Sequence, residues 1–190
     1  MNKGRMEAFS DGVLAVIITI MVLEMKSPHG TSLAALRPLV PVFLSYVLSF
    51  VYIGIYWSNH HHLLHATQRV SGSTLWANLH LLFWLSLVPF TTAWMGENHF
   101  TPWPVALYGM VLLLAAIAYF ILTQRLIVLH GRSSTLATSI GSDVKGRISI
   151  AIYAAAIPLA FAQTSISEAC YIIVAVMWLI PDRRIERVLS

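Results

Sequence analysis

Charge is scarce in this chain. Only 11% of its 190 residues are Asp, Glu, Lys or Arg, while 57% are hydrophobic; a soluble domain carries roughly 25% charged residues. One soluble core of this size cannot bury so many apolar side chains, so a lipid-facing surface is the simpler account. Cysteine is nearly absent. Cys170 stands alone in an apolar run, which rules out an internal disulfide and says nothing about redox compartment. A cleavable leader is not expected either. Glu7 and Asp11 interrupt the entry to the apolar stretch Val13–Leu23, and no A-x-A site follows it, so a retained first helix is the expectation. Phosphate loops, nucleotide fingerprints and serine nucleophile elbows are missing, and with them the common catalytic signatures. No soluble domain, linker or internal repeat interrupts the chain.

What is present is a series of apolar segments near the ~20 residues that a membrane-spanning helix needs. Six are expected, at residues 5–25, 39–57 with extension to 64, 75–94, 105–129, 148–162 and 169–180. Ser27-Pro28-His29-Gly30 closes the first with turn chemistry. Pro38 and Pro41 open the second, where a missing N–H costs little. The last two are short, joined tightly at 163–167, and form a helical hairpin or tilt little. The fold class expected is therefore all-α, a single six-helix transmembrane unit over residues 1–190.

The net charge of +4 is distributed as membrane topology requires rather than as nucleic-acid binding would. Six spans place Lys3, Arg5, Arg69, Arg125, Arg132, Lys145, Arg147, Arg183, Arg184 and Arg187 on one side, and only Lys26 and Arg37 on the other. The positive-inside rule then puts both termini in the cytoplasm of a multi-pass cell-membrane protein. Trp57, Trp76, Trp94, Trp103 and Trp178 fall near the expected helix ends, where interfacial aromatics belong.

The first helix is unusual. It opens Arg5-Met6-Glu7-Ala8-Phe9-Ser10-Asp11-Gly12, with ionisable groups reaching at least a turn inside. Such groups at membrane depth face a bundle interior or a water-filled path; at the interface, they only cap or orient the helix. Arg5 and Asp11 are six apart and do not share a face, so each is expected to pair with a neighbouring helix. At 100° per residue, Arg5, Gly12, Val16, Thr19 and Leu23 share one face, with Ile20 at its edge. Around a symmetry axis, Val16, Ile20 and Leu23 would form apolar constrictions and Thr19 a ring of hydroxyl oxygens for a partly dehydrated cation. Within one subunit, the same face would simply pack, with Thr19 bonded to its own backbone. The carbonyl filter T-V-G-Y-G is absent, so a channel here would select ions by another device. No broken-helix pair in matching halves suggests an inverted-repeat transporter.

His60, His61, His62 and His65 form the other cluster. His61 and His65 are one helical turn apart and suit a shared metal. A membrane di-iron enzyme would need several such clusters with carboxylates. One cluster at a helix end fits a structural or interfacial role better. The expectation is no enzyme, no metal and no catalytic residue. The alternative is an integral membrane metal-binding protein or enzyme using His60 to His65. The remaining option is a membrane scaffold without transport.

Arg5-x-x-x-Phe9-Ser10-Asp11 resembles the R-x-x-x-F-S-D signature of the transmembrane protein 175 family of potassium channels. Trp57-Ser58-Asn59-His60-His61 resembles that family's W-x-x-H-H segment, and Asn78 with Pro89-Phe90 its N…P-F pattern. The first half of the chain matches by motif and the rest by hydropathy. The resemblance implies a homotetramer of single-repeat subunits in the lipid bilayer, with first helices lining a pore for permeant potassium ions and with no cofactor and no nucleic-acid partner. It maps the constriction to Val16, smaller than the family's usual isoleucine or leucine, the hydroxyl layer to Thr19, and further lining to Ile20 and Leu23. Modest selectivity for potassium over sodium is the expectation. Arg5, Ser10 and Asp11 would join His60, His61 and Asn78 in a polar network that holds the pore helix.

Overall fold

A computed structural model of the chain describes residues 3–131, 134–140 and 143–179. These residues are almost entirely helical: α1 (Lys3–Leu23), α2 (Val40–His65), α3 (Gly72–Ser86), α4 (Val88–Glu97), α5 (Pro102–His130), α6 (Thr135–Ile140), α7 (Val144–Ala162) and α8 (Thr164–Leu179). A 3-10 segment, Leu33–Leu39, leads into α2.

Local chemistry explains the helix ends. Ser71 caps α3 by accepting the Thr74 N–H at 3.3 Å. Pro102 and Pro104 occupy the first turn of α5, where no N–H is needed. Gly131 ends that helix at φ 92, a conformation that an L side chain resists. Asp143 caps α7 through the Gly146 N–H at 3.2 Å. Burial raises the Asp143 carboxyl above its ordinary range, although the Gly146 N–H and Arg147 both pull the other way.

Five helical stretches are long and apolar enough to cross a membrane: Lys3–Leu23, Leu33–His65, Gly72–Glu97, Pro102–His130 and Val144–Ala162. The shorter Thr164–Leu179 is also apolar. Together they correspond to the six spans expected, with three departures. The third span breaks at Leu87 into α3 and α4, because Pro89 has no N–H to donate back to Leu85. The second runs on through His65, so Trp57 lies two turns inside it rather than at its end. The last two helices begin earlier than expected and are separated by the single extended residue Gln163. The short α6 had no hydropathy signal to announce it.

The long α5 is the spine, packed against α3, α4, α7 and α8. Two cores flank it. One joins α1, α2, α3 and α5 through Leu14, Ile17, Ile53, Leu81 and Leu122. The other joins α2, α5, α7 and α8 around Tyr52, Tyr108, Tyr153 and Tyr171. The first helix packs on α2, α3 and α4, burying the stripe Met6, Ser10, Leu14, Ile17 and Met21, whose spacing of three and four is one helical face. Its opposite face is covered by nothing among the described residues.

Candidate functional site

The buried stripe of α1 is tied to its neighbours by polar side chains. Ser10 donates to its own Met6 carbonyl at 2.8 Å and accepts Asn78 Nδ2 at 2.9 Å. His60 Nε2 lies 2.8 Å from Asn78 Oδ1. A carbonyl oxygen only accepts, so Nε2 carries the hydrogen and donates. One buried chain of hydrogen bonds thus joins α1, α3 and α2. His60 Nδ1 has no partner among the described residues. One position along α1, Asp11 accepts from Trp57 Nε1 at 3.1 Å. At the helix start, Glu7 lies 3.5 Å from His61 Nδ1, and the His61 ring stacks between Trp57 and His65.

The structure therefore brings Ser10, His60 and Asn78 into one seam. It places Asp11 and His61 in separate contacts beside the seam. Arg5 and Phe9 lie exposed at the surface, and Arg5 joins no ion pair among the described residues. Trp57 and Glu7 complete the arrangement. Trp57 was visible in the W-x-x-H-H segment, but its donation to Asp11 depends on which helices are neighbours, and a one-dimensional pattern does not carry that. The histidine cluster is divided: His60 faces inward to Asn78, and His61 faces Glu7. No set of three His, Cys, Asp or Glu side chains converges as a metal site among the described residues, so the metal-binding alternative lacks a ligand set there.

The uncovered face of α1 carries Gly12, Val16, Thr19, Ile20 and Leu23. Val16 is 54% exposed, Ile20 40% and Leu23 78%. Thr19 Oγ1 donates to the Val16 carbonyl at 2.8 Å. That bond uses the hydroxyl hydrogen and leaves the oxygen lone pairs for an outside partner. Beside this face, a groove of about 920 Å³ runs between α1 and α4, lined by Phe9, Val16 and Ile20 on one wall and Phe90 and Trp94 on the other. Phe90 and Trp94 stack with ring centroids 6.2 Å apart.

Comparison with known proteins bears on this geometry. The family model described as the endosomal/lysosomal potassium channel TMEM175 matches residues 5–89, the segment that holds the whole polar seam. A potassium channel of Chryseobacterium sp. (strain P1-3) is 55% identical over 190 residues, covering all of this chain and 99% of that protein. The chain belongs to the TMEM175 family. A crystal structure of a lysosomal potassium-selective channel TMEM175 homolog from Chamaesiphon minutus superimposes with a TM-score of 0.80 at 27% identity, over 96% of this chain and 97% of that one. The endosomal/lysosomal proton channel TMEM175 of Bos taurus is 28% identical over 187 residues, which are 87% of this chain and 38% of that longer protein. Family membership and the apolar helices make this a multi-pass membrane protein.

Proposed function

We propose that the chain is a potassium-permeable cation channel whose pore forms where the α1 helices of four copies meet. The observation that carries the reading is the bare face of α1. A stripe of Val16, Thr19, Ile20 and Leu23 is left exposed among the described residues, while the opposite stripe is anchored by Ser10, Asn78 and His60. A helix held so specifically on one side presents its other side at a fixed angle. Around an axis, Val16, Ile20 and Leu23 supply apolar rings that gate by dewetting, and the Thr19 oxygens supply a hydrophilic ring between them. The groove between α1 and α4 is the seat for a neighbouring copy. Potassium passes passively, with modest preference over sodium, and no cofactor takes part.

The end of the bundle that holds the α1 N-terminus also holds Arg69, Arg125, Lys145 and Arg147, whereas Lys26 and Arg37 lie at the other end. We assign the first end to the cytoplasm. Arg132, Arg183, Arg184 and Arg187, counted on that side from sequence, lie outside the described residues.

The test is potassium flux from liposomes holding the purified protein, with sodium and protons as comparison ions. Potassium-selective flux is expected, and Val16→Ala or Leu23→Ala should widen the pore and lower the potassium to sodium ratio. A folded, tetrameric preparation that passes none of these ions would end the channel reading. Unchanged selectivity in both variants would move the pore off α1.

A further inference from the structure

His130 ends α5 with both ring nitrogens engaged. Nδ1 lies 2.9 Å from the Leu126 carbonyl oxygen. Nε2 lies 3.1 Å from the backbone nitrogen of Gln68 and 3.3 Å from that of Arg69. A carbonyl oxygen only accepts and a backbone N–H only donates. Nδ1 therefore carries the hydrogen, and Nε2 offers its lone pair to two N–H groups. Together the two sets of bonds require the neutral ring, because Nε2 accepts only while it keeps its lone pair. Arg69 adds a third tie by donating from Nη2 to the Leu129 carbonyl at 3.1 Å, an oxygen left unpaired by the end of the helix. The turn at 66–70, between α2 and α3, is thus fastened to α5 largely through one imidazole.

Protonation would place a hydrogen on Nε2, aimed at two other donors. The charged group bonded beside the ring is Arg69 from the turn, and no Asp or Glu oxygen lies within 4 Å of the ring among the described residues. Arg132, two residues on, lies outside them. The ring is partly exposed, so solvent protons reach it.

We propose that His130 is a pH-operated latch on the 66–70 turn, closed when the ring is neutral and open when it is protonated. The turn runs through the Ser71 cap into α3, the helix whose Asn78 holds α1. Acid at this end of the bundle therefore releases the Gln68 and Arg69 amides from α5, while the Arg69 side chain and the packing of α3 on α5 remain.

Hydrogen–deuterium exchange on the full chain tests this at pH 8 and pH 5.5. Rates are expressed as protection factors against the unstructured rate at each pH, so the chemical pH dependence cancels. The Gln68 and Arg69 amides should lose up to about tenfold in protection at pH 5.5, the change that one ordinary hydrogen bond sets. His130→Gln keeps an acceptor oxygen without titrating, and should show equal protection at both values. His130→Ala should show low protection at both. Wild-type protection that is the same at pH 5.5 and pH 8 would overturn the latch, as would the wild-type pH response persisting in both variants. The wild-type comparison needs no variant, so a substitution that misfolds leaves the test standing. The readout does not involve conduction, so it succeeds or fails separately from the channel reading.

Discussion

The two cores on either side of α5 are built by different rules. The core under α1 is aliphatic, with a thin polar seam in which side chain meets side chain: Ser10, Asn78 and His60. The other core is aromatic; Tyr108 meets the Ser49 hydroxyl at 3.0 Å, and two of its tyrosines bond to backbone. Tyr52 donates to the Tyr171 carbonyl at 2.5 Å, and Tyr171 donates to the Val105 carbonyl at 3.1 Å. Small residues let those rings approach, as Gly109 does against Tyr171. A side-chain seam constrains residue identity at both ends of each bond. A tyrosine that bonds a carbonyl constrains only itself, since every residue offers a carbonyl. The first arrangement fixes the orientation of one helix and leaves its far face free. The second closes its tyrosine core and leaves plain apolar side chains such as Ile173 and Val176 on the outside of α8.

That contrast is open to test by substitution. The largest effect should come from Gly109→Val. A Cβ there collides with the Tyr171 ring and hydroxyl, so the variant should lose about 3 kcal/mol or more, read as a fall in unfolding midpoint or as loss of a monodisperse peak. Next comes Asn78→Ala, which strands Ser10 and His60 without their shared partner. The cost should be about 1–2 kcal/mol, the upper part of the range for polar contacts between membrane helices. A cost as large as that of Gly109→Val would show that the seam, not the tyrosine core, holds the bundle. Gly12→Ala should go the other way. A Cβ at Gly12 meets nothing within 4 Å, so the helix should gain about 0.5–1 kcal/mol from propensity. A loss would mean that another chain already covers this face in solution, and ion flux measured alongside would report on the pore. The smallest change belongs to Glu7→Gln. Its contact with His61 is partly exposed, and should contribute no more than about 0.5 kcal/mol in unfolding measurements.

The same contrast explains what could be read beforehand. Ser10, Asp11, His60, His61 and Asn78 stood out because polar residues in apolar helices are rare, and the seam depends on their identity. The two spans after residue 140 had only hydropathy to mark them, since Ser167 and Tyr171 use partners that any sequence supplies: Ser167 donates to the Ala156 carbonyl at 2.6 Å and Tyr171 to that of Val105. Helix boundaries slipped at the last two spans, which begin at Val144 and Thr164 rather than at 148 and 169. The second helix reaches His65, one residue past the extension to 64, with His60 bonded to Asn78 near its end. Contacts across the bundle stayed hidden: Trp57 to Asp11, and His130 to the 66–70 turn. Each joins residues roughly 46 to 62 apart in sequence, and no local period reports such a pairing.

One feature of α5 bears on the lipid itself. Its 29 residues reach about 43 Å, well beyond the ~30 Å thickness of a typical hydrocarbon core. A span that long is matched to the bilayer by tilting or by carrying its ends into the headgroup layers. Because α3, α4, α7 and α8 all pack on α5, its angle to the membrane normal sets theirs. Acyl-chain length therefore acts on the whole bundle through this one helix.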